Sequence, residues 1–131
     1  MILDSTFLFD LMADDPAAFE KGVELVETGE VQWLPAPVVQ EAYYGAMTVR
    51  SSTAPADVRN RLLGYPRIDV DEEVARTAGR LLASADGDVG GDAGVGANDA
   101  YIGAMAEILD DAVLTENVAD FRALGVSTES Y

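Results

Sequence analysis

Four short runs rich in apolar residues, Met1–Leu3, Val31–Leu34, Arg67–Val70 and Ala112–Thr115, are set apart by long stretches with helical spacing. Strand, two helices, strand, two helices, strand, two helices, strand, helix is the order of an α/β domain with a mainly parallel sheet. Val126-Ser127-Thr128 offers a fifth, marginal strand. The expected architecture is a three-layer α/β/α sandwich around four to five strands. The 131 residues suit a single domain, 1–131, large enough to bury a core without staples. Functional groups of such sheets gather at the carboxyl ends of the strands. That rule places Asp4 and the Thr115–Asn117 turn on one edge.

The helices follow from periodicity and punctuation. Ser5 or Thr6 is expected to cap a helix that places Phe7, Leu8, Leu11 and Met12 on one face. Asp14-Asp15-Pro16 reads as a turn and helix start, with Phe19, Val23 and Val26 recurring up to Gly29. Pro35-Ala36-Pro37 breaks the second strand, and Val38, Val39, Ala42 and Ala46 mark a helix carrying Glu41. After a small-polar break over 51–55, a helix is expected over 56–63, closed by Gly64. Val74, Ala78, Leu81 and Leu82 give the next helix its apolar face. Residues 86–96, with 5 Gly among 11, are expected to form a flexible loop. Ile102, Met105, Ala106 and Leu109 share a face of the following helix, and Val118, Phe121 and Leu124 mark a short one closed by Gly125.

Composition narrows the chemistry. The chain has no Cys and no His, which removes disulfides, zinc–thiolate sites, thiol catalysis and Ser-His-Asp hydrolysis. No apolar run approaches the ~18 residues of a membrane span. Met1 to Asp14 has no positive charge ahead of its apolar residues, unlike a secretory signal. A cytoplasmic protein with no membrane partner is the expectation. Acidic residues number 24 against 8 basic ones, for a net charge of −16, and Lys21 is the lone lysine. Spread over several segments, this excess resembles proteins of salt-loving organisms, where molar salt shrinks screening to ~3 Å and makes self-repulsion tolerable. The other reading is an acidic protein with a basic partner.

The remaining catalytic vocabulary is carboxylate, amide, hydroxyl and guanidinium. Asp4 ends the first strand, Glu41 lies among apolar neighbours on a helix, Asp99 opens the helix after the glycine loop, and Asn117 follows the fourth strand. Each has an ordinary reading too. Asp4 and Asn117 suit helix caps, Glu41 suits a solvated helix face, and Asp99 suits the positive end of a helix dipole. Brought together on one edge, such carboxylates repel unless a cation lies between them. Oxygen ligands of this kind suit Mg²⁺ or Mn²⁺, which keep several waters and bind phosphate substrates. No G-x-G-x-x-G and no G-x-x-x-x-G-K is present.

In order along the chain, these positions resemble a known pattern. Met1-Ile2-Leu3-Asp4-Ser5-Thr6 is similar to the hydrophobic-Asp-Ser/Thr-Ser/Thr opening of PIN domains, and Val38-Val39-Gln40-Glu41 to their helix-borne Glu. Asn98-Asp99-Ala100-Tyr101-Ile102-Gly103-Ala104-Met105-Ala106 resembles their Asp-Ala-x-Ile-x-Ala-x-Ala helix. Thr115-Glu116-Asn117-Val118-Ala119-Asp120-Phe121 resembles their Thr-x-Asn/Asp-x-x-Asp-Phe segment. The likeness runs from Met1 to about Val126. Small stand-alone members are mostly VapC-type toxins of toxin–antitoxin pairs. The resemblance implies a metal-dependent endoribonuclease acting on RNA, a cognate antitoxin and a homodimer. It implies Asp4, Glu41 and Asp99 as holders of Mg²⁺ or Mn²⁺, and Asn117 as the fourth catalytic position, with Asp120 as its substitute. Thr6 and Thr115 would be hydroxyls that orient the acids. Glu116 departs from the family, where that position is often basic or neutral.

Arg50, Arg59, Arg61, Arg67, Arg76 and Arg80 face five acids within 50–80, a net charge of +1 there against −17 elsewhere. They predict a face for RNA phosphates or an acidic antitoxin segment, the alternative being exposed ion pairs of little consequence. Tyr43, Tyr44 and Trp33 are candidates for dimer surface, with core burial the plainer expectation. A PIN-like module that binds RNA or a protein without turnover is the competing function. A receiver-like phosphoacceptor fares poorly, because Lys21 is near no late strand end.

Overall fold

The computed structural model describes residues 1–48 and 52–131. Arg50 and Ser51 lie outside the described residues. The elements in chain order are β1 (Ile2–Leu3), α1 (Ser5–Met12), α2 (Pro16–Glu27), β2 (Leu34–Pro35), α3 (Ala36–Met47), α4 (Pro55–Leu62), β3 (Arg67–Ile68), α5 (Glu72–Val89), α6 (Ala97–Leu109), β4 (Val113–Leu114), α7 (Val118–Ala123) and β5 (Thr128–Glu129). β1 pairs with β4 and β4 with β5, while β2 pairs with β3, all in parallel. A parallel bridge between Ile2 and Trp33 joins these sets into the order β3-β2-β1-β4-β5. The expected parallel sheet of four to five strands is present.

The period-two alternation of strand side chains gives the sheet two apolar faces. Ile2 and Val113 enter a core with Leu34, Val38, Val58, Leu81, Ile102, Met105 and Phe121, built from α3 to α7 with Leu8 of α1. Met1, Leu3 and Leu114 enter another core with Phe7, Ala18 and Leu25, built from α1 and α2. Helices therefore cover both faces. The α6 helix is buried on most of its circumference at Ala100, Ile102, Gly103, Ala104, Met105 and Ala106, which explains its small residues.

Several expectations need correction. The second strand is Leu34–Pro35, not Val31–Leu34, and α3 begins at Ala36 straight after it. Proline fixes φ near the helical value and lacks only an N–H that the first turn leaves unpaired, so Pro37 starts α3 rather than interrupting it. The fifth strand is Thr128–Glu129, displaced from 126–128. Neither Ser5 nor Thr6 caps α1; Asp4 is the N-cap and makes no side-chain cap hydrogen bond. Residues 86–89 are not loop but the last turn of α5, which Gly90 closes in the left-handed conformation.

The largest misreading concerns α2. Its buried residues are Ala18, Lys21 and Leu25, while Phe19 and Val26 are 62% and 71% exposed. The Lys21 side chain buries its stem and brings its ammonium to Glu24, at 2.9 Å, and to Glu129. Lys21 thus anchors α2 beside Ala18 and Leu25, while Phe19, Val23 and Val26 lie outside.

Candidate active site

The carboxyl ends of β1 and β4 lie side by side. The Asp4 N–H donates to Leu114 O at 3.1 Å, and the Thr115 N–H donates to Glu129 O at 3.0 Å. Asp4 is buried, and its Oδ2 accepts from Thr115 Oγ1 at 2.6 Å and from Thr6 Oγ1 at 3.1 Å. Thr115 Oγ1 in turn accepts from the Asn117 N–H at 2.9 Å, and Thr6 Oγ1 from the Glu116 N–H at 3.2 Å. Both hydroxyls are thus oriented by the backbone that follows β4, with their protons on one carboxylate oxygen. The other oxygen, Oδ1, accepts no hydrogen bond among the described residues. Neither oxygen accepts from a backbone N–H of the first turn of α1.

Asp99 enters from α6, whose first turn begins at this same edge. Burial, then the charges of Asp4, Asp120 and Glu41, and a hydrogen bond with Asp120 raise its pKa from 3.8 to about 6. Three carboxylates, one just after β1, one on α3 and one on α7, therefore act on a single group on α6. Asn117 sits beside them differently: its Nδ2 donates to Asp120 Oδ2 at 2.9 Å. The amide steadies Asp120, which is the carboxylate that reaches Asp99. Glu116 turns away, its Oε1 accepting from the Tyr131 N–H at 3.2 Å. Tyr131 closes that flank, with its hydroxyl donating to Asp10 at 2.6 Å and its ring edge-on to Phe7 at 5.1 Å. Burial and the Asp10 contact push the phenol pKa up.

None of these four acids is ion-paired among the described residues; the pairs found belong to the N-terminal amine, Lys21 and Arg80. No three acidic side chains among the described residues are arranged to hold a metal ion between them. The donor chemistry still fits one kind of ion. Oxygen donors without a competing cation suit a hard divalent ion that retains waters and leans on only one or two carboxylates.

Two amides escaped attention at the sequence level. Asn98 Nδ2 donates to Glu41 Oε1 and to Gln40 Oε1, each at 3.1 Å, and ties the start of α6 to the middle of α3. The available signal was their adjacency to Asp99 and Glu41.

Three arginines of the 50–80 stretch are engaged by the fold. Arg61 donates to Met12 O at 2.9 Å, Arg67 to Leu62 O at 3.0 Å and Tyr65 O at 2.5 Å, and Arg80 pairs with Glu107. Helix ends and a turn consume them. Arg59 and Arg76 are exposed on α4 and α5. Trp33 and Tyr43 pack against the core, whereas Tyr44 is exposed.

Residues 1–126 match the PIN domain family. The chain belongs to that family. As a fold, this PIN domain is similar to VapBC2 from Rickettsia felis, solved with a DNA fragment from its promoter. The TM-score is 0.78 at 17% identity, covering 99% of this chain and 97% of that one. It is also similar to DNA-bound VapBC from Salmonella typhimurium (TM-score 0.75, 19% identity, 98% and 96% covered). A toxin–antitoxin complex from Klebsiella pneumoniae gives a TM-score of 0.69 at 20% identity, with 92% and 88% covered. No curated protein matches this chain in sequence. No helix among its described residues is long and apolar enough to cross a membrane.

Proposed function

We propose that this PIN domain, as one domain over 1–131, is a divalent-metal-dependent endoribonuclease acting as a VapC-type toxin. The observation that carries the reading is the half-buried Asp99 carboxyl, raised first by burial and then by the charges of Asp4, Asp120 and Glu41 at a parallel-sheet edge, with no cationic partner for any of them among the described residues. A hydrolase without His or Cys needs such a group of oxygens.

Asp4, Asp99 and Glu41 would hold the Mg²⁺ or Mn²⁺, one or two of them directly and the rest through its waters, with Asp120 as a further oxygen donor. Such an ion supplies charge for the phosphodiester oxygens and a more acidic water. The chain's own part is orientation. Thr6 and Thr115 fix Asp4 through Oδ2 and leave Oδ1 without a hydrogen bond among the described residues. Asn117 acts by holding Asp120. With three arginines committed to structure and a net charge of −16, the protein's own cations contribute little to RNA affinity near this edge. Molar salt removes much of the remaining repulsion.

An antitoxin partner is supported by the solved relatives and by the exposed Phe19, Val23 and Val26. These residues line an apolar groove of about 440 Å³ with Leu11 and Tyr65. A homodimer is supported by exposed Tyr44 and Met47 on α3. The decisive experiment is cleavage of structured RNA in molar KCl with Mg²⁺ or Mn²⁺, comparing wild type with Asp99→Asn. Metal-dependent cleavage lost in the variant supports the enzyme. RNA binding without cleavage points to a module that binds and does not turn over, and equal cleavage by both proteins removes the site.

A further inference from the structure

Glu41 lies mid-helix on α3 and reaches the site through a flexible side chain, in the field of Asp99, Asp4 and Asp120. Left to itself, such a carboxylate swings to solvent, where its charge is better hydrated and farther from its neighbours. The Asn98 amide opposes that. One nitrogen uses both hydrogens, donating to Glu41 Oε1 and Gln40 Oε1 at 3.1 Å each. The reverse amide orientation would set Asn98 Oδ1 against the Glu41 carboxylate, so the hydrogen-bond network itself selects this one. Asn98 also immediately precedes Asp99, so the residue that grips Glu41 belongs to the same helical turn as the acid it faces.

We propose that Asn98 is a positioning residue that holds Glu41 toward Asp99, with Gln40 orienting the amide. The inference rests on the nuclease reading above and deepens it. Neutrality is the physical advantage. An Arg or Lys in place of Asn98 would fix Glu41 equally well but would pair with it and compete with an incoming cation. An amide restrains the carboxylate and leaves its charge available. Outer hydrogen-bond partners of this kind change metal affinity by ~10- to 100-fold when removed.

The test measures Mn²⁺ binding to the whole chain in molar KCl, from the electron paramagnetic resonance signal of free Mn²⁺. Four variants are compared with wild type: Asn98→Ala, Asn98→Asp, Glu41→Gln and the double variant Asn98→Ala with Glu41→Gln. Asn98→Ala is expected to weaken Mn²⁺ binding ~10- to 100-fold, and Asn98→Asp at least as much, because it replaces a donor by a like charge. The double variant is expected to bind no more weakly than Glu41→Gln alone, since Asn98 acts only through Glu41. Should Asn98→Ala not fold, Gln40→Ala frees the amide while sparing Glu41, and a smaller loss is expected. Wild-type affinity in the folded Asn98 or Gln40 variant, or a fully additive double variant, overturns the inference alone. A wild-type chain that binds no Mn²⁺ overturns the nuclease reading and this inference with it.

Discussion

Thr115 Oγ1 donates to Asp4 Oδ2 over 2.6 Å, joining residues 111 positions apart at the ends of adjacent strands. The bond is buried, and the same hydroxyl takes the Asn117 N–H, so one oxygen sets both a carboxylate and the turn after β4. Thr115→Val keeps the shape and removes the hydroxyl. A hydrogen bond to a charged group is worth about 1.5–3 kcal/mol, and a loss of that size is expected in urea unfolding under molar KCl. Thr115→Ser should retain most of it.

Asp99 opposes folding in the metal-free protein. Its folded pKa, about 6, lies above the 3.8 of the free group, so between these values the folded chain holds more protons than the unfolded one. Stability on this account is greatest below 3.8, falls as pH rises through that window and stays lowered above about 6. Because Asp99 is half-buried and solvent screens it, the penalty is on the order of 1 kcal/mol. Asp99→Asn should therefore raise the melting temperature at pH 7 without metal while abolishing cleavage. An unchanged or lower melting temperature would contradict the electrostatic picture.

Gly103 packs against α7's end. A Cβ there would lie 3.0 Å from Leu124 Cδ1 and 3.7 Å from Val126 Cγ2. Alanine gains about 1 kcal/mol of helix propensity, which the forced shift of buried Leu124 offsets, so Gly103→Ala should be close to neutral. Gly103→Val adds a branched group with no room and should cost about 1–3 kcal/mol by chemical denaturation. Since α7 bears Asp120, the valine variant should also lose cleavage at temperatures where it remains folded.

Lys21 ties α2 to β5 through Glu129, which raises its pKa more than burial lowers it. With the folded pKa above the unfolded 10.5, this contribution is complete at neutral pH and vanishes as pH rises through the folded value. Lys21→Met keeps the apolar stem and should cost under about 1 kcal/mol in low salt and less in molar KCl. Lys21→Ala, which empties part of the α2 contact, should cost more in both, and thermal melts at two salt concentrations separate the cases.

The sheet edge was legible in the sequence because it depends on local facts. An apolar run ends at Asp4, small residues surround Asp99, and Thr115 closes another apolar run. Strand extent was not legible. Each strand pairs over only two residues, and the neighbour sets which two, so Val31–Leu34 shifted to Leu34–Pro35. The α2 face was misread because apolar bulk was taken as the inside, whereas Glu129, remote in sequence, makes Lys21 the inward residue. Asn117 stands out in the sequence by following the fourth strand, but its hydrogen bond to Asp120, one helical turn away, is visible only in the fold. Composition does not separate the arginines that bind carbonyls such as Met12 O and Leu62 O from Arg59 and Arg76, which stay exposed.

β1 is a wall shared by two interiors, with Ile2 facing one and Leu3 the other. Sliding that strand by one position would exchange the two side chains and carry Asp4 away from Thr115 in the same movement. Such a slip would therefore disturb both interiors and break the Thr115–Asp4 hydrogen bond together, so the integrity of the fold and the order of the sheet edge are set by the same two residues.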